Sequence, residues 1–344
     1  MNRWVIVALV ALSVMSGEAE SRVPYYAVNH DFVWTEEKEW PSLIQAIKDS
    51  GSQAVRLPMR WPVAEPERGR WDWTRMDKAV SALRAAKITI LANYLGTPPW
   101  ASGIDPAAVK GFPDCYMPKD WADWDEFVRK SVTRYWKDIG YWEIWNEENG
   151  VDFYKPLPNA SRYVEMLKRS HAIIKNIDPG ATVVLGGLQM NGIIPNPWLT
   201  VKTPDFLQAI YDAGGGPYFD VVNIHPHVLA TPNEGPAYCA KLVRATVDVM
   251  KKNGDRRKPL WITETGVAAE GGVTEEMQSE HLKGIYTELG KIEQVKAIYW
   301  LTLRDYPSAI CGGENAMGLL ALDHRRKPAF DAFRQTITKA RAGK

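Results

Sequence analysis

The chain has 344 residues, with 42 Lys plus Arg against 41 Asp plus Glu, 45% hydrophobic and 24% charged. That balance excludes a strongly basic nucleic-acid binder and a polyacidic chain, and 26 Gly with 23 Pro excludes collagen-like and low-complexity classes. The aromatic content is skewed, with 15 Trp and 14 Tyr against 8 Phe. Such an excess suits either a large core or stacking on the flat apolar faces of sugars.

The N-terminus opens with the basic Met1-Asn2-Arg3, runs uncharged over 4–14, and then offers the small residues Gly17 and Ala19. This three-part pattern predicts a signal peptide over 1–19, a mature domain over 22–344, and a secreted or periplasmic location. The apolar run is too short for a bilayer, which needs about 20 residues, so stable membrane insertion is not expected. Cys115, Cys239 and Cys311 form no CxxC pair. In an oxidising compartment they predict one disulfide and one free thiol.

Strand and helix patterns then alternate. A strand over 25–29 precedes a helix over 42–49, and a short strand over 54–57 stops at Pro58. Met76, Val80 and Leu83 mark a helix over 73–86, before a strand over 88–93 and a long Pro/Gly-rich loop over 96–118. Trp121, Trp124, Val128 and Val132 give a helix face, and 141–145 a fourth strand. Asn159 or Ser161 caps the next helix, which ends before Asp178-Pro179-Gly180. Strands over 182–185, 221–224, 260–263 and 295–300 alternate with helices over 206–213, 237–252, 274–292 and 328–340. Eight strand–helix units predict a single-domain α/β fold, a (β/α)8 TIM barrel.

Such a barrel carries its active site where strands give way to loops at their carboxyl ends. Those ends hold Asn29-His30, Arg56, Asn93-Tyr94, Trp145-Asn146-Glu147-Glu148, Gly186-Gly187, His225-Pro226-His227, Glu264 and Trp300. Two strands end in carboxylates, Glu147 and Glu264, with Trp beside both. Paired carboxylates across a pocket are what glycoside hydrolysis needs: one protonates the leaving oxygen, the other attacks carbon or activates water.

The segments WEIWNEEN at 142–149 and WITETG at 261–266 resemble clan A of the glycoside hydrolases, which are retaining (β/α)8 enzymes. So do VRLPMRWPVAEPERGRWDWTRMDKAV, the TPPWAS at 97–102 and the tail ENAMGLLALDHRRKPAFDAF at 314–333. Within the clan the resemblance is greatest to glycoside hydrolase family 39 and its exopolysaccharide-cleaving relatives. It implies Glu147 as acid/base, Glu264 as nucleophile, Asn146 on the sugar 2-hydroxyl, Arg56 beside the nucleophile, Trp300 as a sugar platform and His225 lining the site. The family often has His-Pro-Tyr where this chain has His225-Pro226-His227.

Strand parity points Glu143 inward with Trp145 and Glu147, as a deeper ion-pair partner, and turns Glu148 towards the loop. Tyr94, Trp100, Trp198 and His227 are further substrate-contact candidates. Trp121 and Trp124 read as core. Two alternatives compete with the hydrolase. A metal-dependent barrel could use the His225/His227 pair, but with six His in the chain it lacks further ligands at other strand ends. An inactive carbohydrate-binding barrel would not need both carboxylates. No cofactor or metal is called for. The expected partner is a polysaccharide or oligosaccharide, not nucleic acid, and long loops favour endo action. Loops 6 and 8 flank the seventh strand, which predicts a Cys239–Cys311 disulfide and a free Cys115.

Overall fold

The computed structural model describes residues 25–109, 111–189, 200–227, 235–307 and 315–342. The expected signal peptide, Trp198 and Cys311, and with it the Cys239–Cys311 pairing, lie outside the described residues. Cys115 is a free thiol.

Eight parallel strands close into one barrel: β1 (Tyr25–Asn29), β2 (Ala54–Arg60), β3 (Thr89–Leu95), β4 (Tyr141–Asn146), β5 (Thr182–Gln189), β6 (Val222–His225), β7 (Leu260–Thr265) and β8 (Val295–Trp300). β8 pairs back onto β1, with Tyr25 opposite Ala297 and Val28 opposite Trp300. The main helices are α1 (Trp40–Ser50), α2 (Thr74–Ala85), α3 (Trp121–Tyr135), α4 (Ala160–Ile177), α5 (Thr203–Asp212), α6 (Pro236–Lys252), α7 (Glu275–Leu289) and α8 (Pro328–Ala342). The predicted (β/α)8 barrel is the observed fold. No helix among the described residues is long and apolar enough to cross a membrane.

Two apolar layers explain why the strands close. Ala27, Ala54, Leu91, Val184, Val221, Ala297 and Tyr299 fill the barrel interior, alternating along each strand with residues that face the helices. The outer faces carry Val28, Val55, Ile90, Ile144, Val183, Ile224, Ile262 and Ile298 into the larger layer beneath the helices. Helix starts are fixed by side chains that accept the first free N–H groups: Asp120 from Ala122, Asn159 from Arg162 and Thr274 from Met277. Asn159, not Ser161, is therefore the cap of α4.

Several strands run further than their apolar runs suggest. β2 does not stop at Pro58, because Pro58 pairs in register with Asn93 and the ladder continues to Arg60 opposite Leu95. β5 passes through Gly186-Gly187 to Gln189, which pairs with His225. These extensions carry the strand ends higher into the top face.

Candidate active site

Arg56 organises the top of the barrel. Its Nε and Nη2 donate to the two carboxylate oxygens of Glu143, each at 2.8 Å. Nη2 also donates to Asn146 Oδ1 at 2.7 Å, and Nη1 to Asn29 Oδ1 at 3.3 Å and to Glu264 Oε1. A guanidinium supplies five N–H donors in a rigid plane, and here that plane joins β1, β2, β4 and β7. Glu143 is the interior ion-pair partner that its depth on β4 implied; it is fully buried and also accepts from Thr263 Oγ1 at 3.3 Å.

The two terminal carboxylates reach the lumen through local departures from strand geometry. On β7, Ile262 pairs with Ile298 but Thr265 pairs with Trp300, so three steps on β7 match two on β8. Strict alternation would send Glu264 outward with Leu260 and Ile262; the bulge turns it inward. On β4, Trp145 and Glu147 take positive φ, 74° and 52°. Such backbone costs about 1–3 kcal/mol per residue and persists where its surroundings enforce it. It breaks the parity expected from Glu143: Trp145 faces outward, packs against Trp124 and Tyr154, and donates from Nε1 to Phe153 O at 2.7 Å. Asn146 and Glu147, adjacent in sequence, both enter the site as a result.

Imidazoles surround these carboxylates. His225 Nδ1 lies 3.0 Å from Glu147 Oε1 and 3.7 Å from Glu264 Oε2. His225 Nε2 lies 2.9 Å from Thr263 Oγ1, which accepts from Asn223 Nδ2 at 2.8 Å. His227 Nε2 lies 3.7 Å from Glu264 Oε2. A Cβ on Gly187 would stand 1.8 Å from His225 Nε2, so only glycine leaves room for that ring. Burial lowers the His225 pKa to about 3 and keeps the ring neutral. For Glu264, burial favours the neutral acid, but the charged Arg56 and a hydrogen bond from His227 outweigh it and hold the carboxyl well below the usual range. One carboxylate is thus fixed as an anion, while its neighbour Glu147 faces a neutral ring.

The structure gathers Glu147, Glu264, Asn146, Arg56, His225 and His227 into one site, and leaves three expected contacts out. Trp300 is fully buried on the outer face of β8, near Tyr286, with Nε1 donating to Met317 O at 2.8 Å. It offers no platform; Ala297 and Tyr299 hold the inner parity of that strand. Tyr94 is likewise turned outward and buried, stacked on Trp142 with its hydroxyl 2.6 Å from Ser131 Oγ. Trp100 is half-buried, donates to Glu65 O at 2.9 Å and has Arg68 over its ring at 4.6 Å, so that face is taken. Trp124 is core, as expected, bonded to Ser170 at 3.0 Å. Among the exposed aromatics that sequence reasoning passed over is Trp34, 66% exposed in the loop after β1. Its position five residues beyond the end of β1 was the available signal.

Glu148 does not face the loop. It is fully buried beneath Gly186, whose Cβ, if present, would lie 2.3 Å from Glu148 Oε2. Among the described residues its polar neighbours are weak ones, the Tyr163 hydroxyl and its own backbone N–H, and neither makes a well-formed hydrogen bond to a carboxyl oxygen. The nearby Tyr163 hydroxyl is already committed to Ile144 O and Gly186 N, each at 2.7 Å. Burial raises the Glu148 pKa to about 8.

One donor atom each from Glu147, His225, His227 and Glu264 lies within 4.8 Å of the other three. The histidine pair is therefore not short of neighbouring ligands, as the sequence suggested; the two glutamates complete the set. A cleft lined by Lys251, Arg256, Arg257 and Lys258 opens at the opposite end of the barrel, away from these groups.

The family model for cellulase (glycosyl hydrolase family 5) matches residues 16–302. Among curated proteins, none matches the chain. A family 39 glycoside hydrolase from Bacteroides cellulosilyticus WH2 superposes with a TM-score of 0.72 at 20% identity, over 92% of this chain and 64% of that one. A monomeric beta-xylosidase from Caulobacter crescentus CB15 gives 0.70 at 18%, over 91% and 68%. GH5_18 from Streptomyces cattleya, in complex with GlcNAc, gives 0.68 at 17%, over 94% and 82%. The chain thus spans 64% of the length of the first of these. All are clan A glycoside hydrolases, the clan that the strand-end motifs resemble; the matched family model is that of family 5, where the motifs pointed first to family 39.

Proposed function

Because the chain belongs to the cellulase family, glycosyl hydrolase family 5, we propose that it cleaves β-glycosidic bonds with retention, using Glu264 as nucleophile and Glu147 as acid/base. The observation that carries this reading is the spacing: donor oxygens of the two glutamates stand within 4.8 Å. Retaining pairs are about 5–5.5 Å apart, whereas inverting pairs leave about 6.5–9.5 Å for a water. The charge pattern supports the same division of labour. Arg56 and His227 keep Glu264 ionised and ready to attack the anomeric carbon.

In the first step Glu264 forms its ester to the anomeric carbon as the glycosidic carbon–oxygen bond breaks, and the Glu147 proton passes to that oxygen, which leaves as an alcohol. In the second, Glu147 takes a proton from water, the water oxygen bonds to the anomeric carbon, and Glu264 leaves as carboxylate. Asn146 Oδ1 is occupied by Arg56, which leaves the amide nitrogen as the donor for the sugar 2-hydroxyl. His225, too buried to touch sugar, positions Glu147.

The substrate class is a polysaccharide or oligosaccharide, with endo action. Trp34, Phe112, Leu157, Val201 and Leu322 are exposed in loops that follow five different strands. That spread suits a polymer lying across the top face better than one sugar in a pocket. The mature protein acts outside the cytoplasm, as the N-terminal pattern in residues 1–19 indicates.

The test compares two variants on two substrates. Glu147→Ala should keep the first step for a dinitrophenyl glycoside, whose leaving group needs no proton, and lose about 10²–10⁴-fold on unactivated glycosides. Glu264→Ala should lose turnover of both, with azide restoring product of inverted configuration. Equal losses on both substrates for Glu147→Ala would remove it as the proton donor.

A further inference from the structure

We propose that Glu147, His225, His227 and Glu264 also form a binding site for one divalent transition-metal ion, Zn2+ foremost, and that the ion excludes sugar from the cleavage position. The donor set and its geometry carry this. Zn2+ bonds of about 2.0–2.2 Å place tetrahedral ligands roughly 3.4 Å from one another. Here His225 Nδ1 stands 3.0 Å from Glu147 Oε1 and 3.7 Å from Glu264 Oε2, and His227 Nε2 stands 3.7 Å from that same oxygen. All four donor atoms lie within 4.8 Å of one another, so small side-chain rotations close the tetrahedron. Two imidazoles and two carboxylates suit Zn2+, whereas Mg2+ and Ca2+ prefer oxygen alone.

The supporting shell is in place. A ligating imidazole normally has its other ring nitrogen fixed by a neighbour. His225 Nε2 has Thr263 Oγ1 at 2.9 Å, itself held by Asn223 at 2.8 Å. Charge is also matched. Arg56 binds the far oxygen of Glu264 but is paired with Glu143, so Glu264, joined by Glu147 once it gives up its proton, meets the dication. The second imidazole, His227, stands where the resemblance led to a tyrosine.

Four side chains fill a tetrahedron and leave no open position for a bound water, as catalytic zinc requires. The ion therefore blocks and does not catalyse. A glycosidic bond must occupy the same gap between Glu147 and Glu264, so metal and sugar exclude each other. The exclusion rests on the proposed glycosidase reading; the metal site does not.

The experiment titrates chelator-treated protein with Zn2+ by calorimetry and with Co2+ by visible absorption, beside glycoside-cleavage assays with and without Zn2+. One tightly held ion per chain, tetrahedral Co2+ absorption, inhibition competitive with glycoside and its reversal by chelator are expected. His227→Phe should weaken Zn2+ by more than tenfold, and Thr263→Val by about tenfold. Thermal unfolding of each variant shows whether it is folded, and Zn2+ should raise the melting temperature of the parent more than that of His227→Phe. Stoichiometric binding that is absent, or unchanged in folded His227→Phe, overturns the site. A requirement for Zn2+ in cleavage overturns the exclusion. If Zn2+ binds through His227 and no glycoside is cleaved, the metal site stands and the glycosidase reading falls.

Discussion

A carboxyl group sealed from water without a counter-charge stays folded most cheaply as the neutral acid, and Glu148, next to the proposed proton donor, is in that position. Its pKa of about 8 in the folded chain compares with about 4.3 when unfolded. Below the unfolded value both states are protonated and the contribution to stability is fully present. As pH rises from there the folded state keeps a proton that the unfolded state sheds. Stability then falls by about 1.4 kcal/mol per pH unit until the folded pKa is passed, and is level above it. Glu148→Gln keeps the shape and cannot ionise, so its stability should not share that fall. Urea unfolding at pH 5, 6, 7 and 8 should show the variant gaining on the parent by at least about 2 kcal/mol between the extremes. Parallel curves would mean that Glu148 is not the buried acid described. The sequence alone placed Arg56, Glu143, Glu147 and Glu264 because charged residues at the ends of inward-facing strands have few other uses. It misplaced Glu148, since its surroundings come from Tyr163 on α4 and Gly186 on β5, neither of which is near in sequence.

Strand ends are where element-scale reasoning by alternation gave way. Parity holds along β1, β2 and β8, where Ala27, Ala54, Ala297 and Tyr299 lie inside. It fails at two places that matter to the chemistry: the bulge before Thr265 on β7 and the positive φ values at Trp145 and Glu147 on β4. Neither Thr nor Trp nor Glu announces such backbone in a sequence, so Trp145 read as inward. Tyr94 was assigned to the site by nearness to a strand end and Trp300 by the family resemblance, when their parity set both beneath the helices. The Gly186-Gly187 pair, read only as a strand stop, is instead a stretch of strand kept bare for two buried side chains. Gly187→Ala tests this. The new methyl must displace His225, and with it the contact to Glu147, so kcat should fall at least about tenfold and stability by about 1–3 kcal/mol. Gly140→Ala, where an added Cβ meets nothing within 4 Å, should stay within about 0.5 kcal/mol of the parent with unchanged kcat. Equal behaviour of the two variants would separate Gly187 from the site.

At the scale of the molecule, the closed barrel was legible because eight apolar runs alternating with amphipathic helices admit few other architectures. What closure adds is convergence: β2, β4, β6 and β7 deliver Arg56, Glu147, His225 and Glu264 to one point, although Arg56 and Glu264 are 208 residues apart in the chain. Sugar contacts were less legible, since exposure of Trp34 and burial of Trp300 depend on packing by segments distant in sequence. In the proposed function two carboxylates at this point divide the roles of attacking and proton-transferring group. A 2-fluoro glycoside with a dinitrophenyl leaving group tests it most directly, because the fluorine slows the second step and lets the ester accumulate. Peptide mapping of the inactivated protein should find one sugar per chain, on Glu264, in the peptide containing Trp261-Ile262-Thr263-Glu264-Thr265. A sugar on Glu147 or Glu143, or steady turnover of the reagent to product of inverted configuration, would rule out this division of roles.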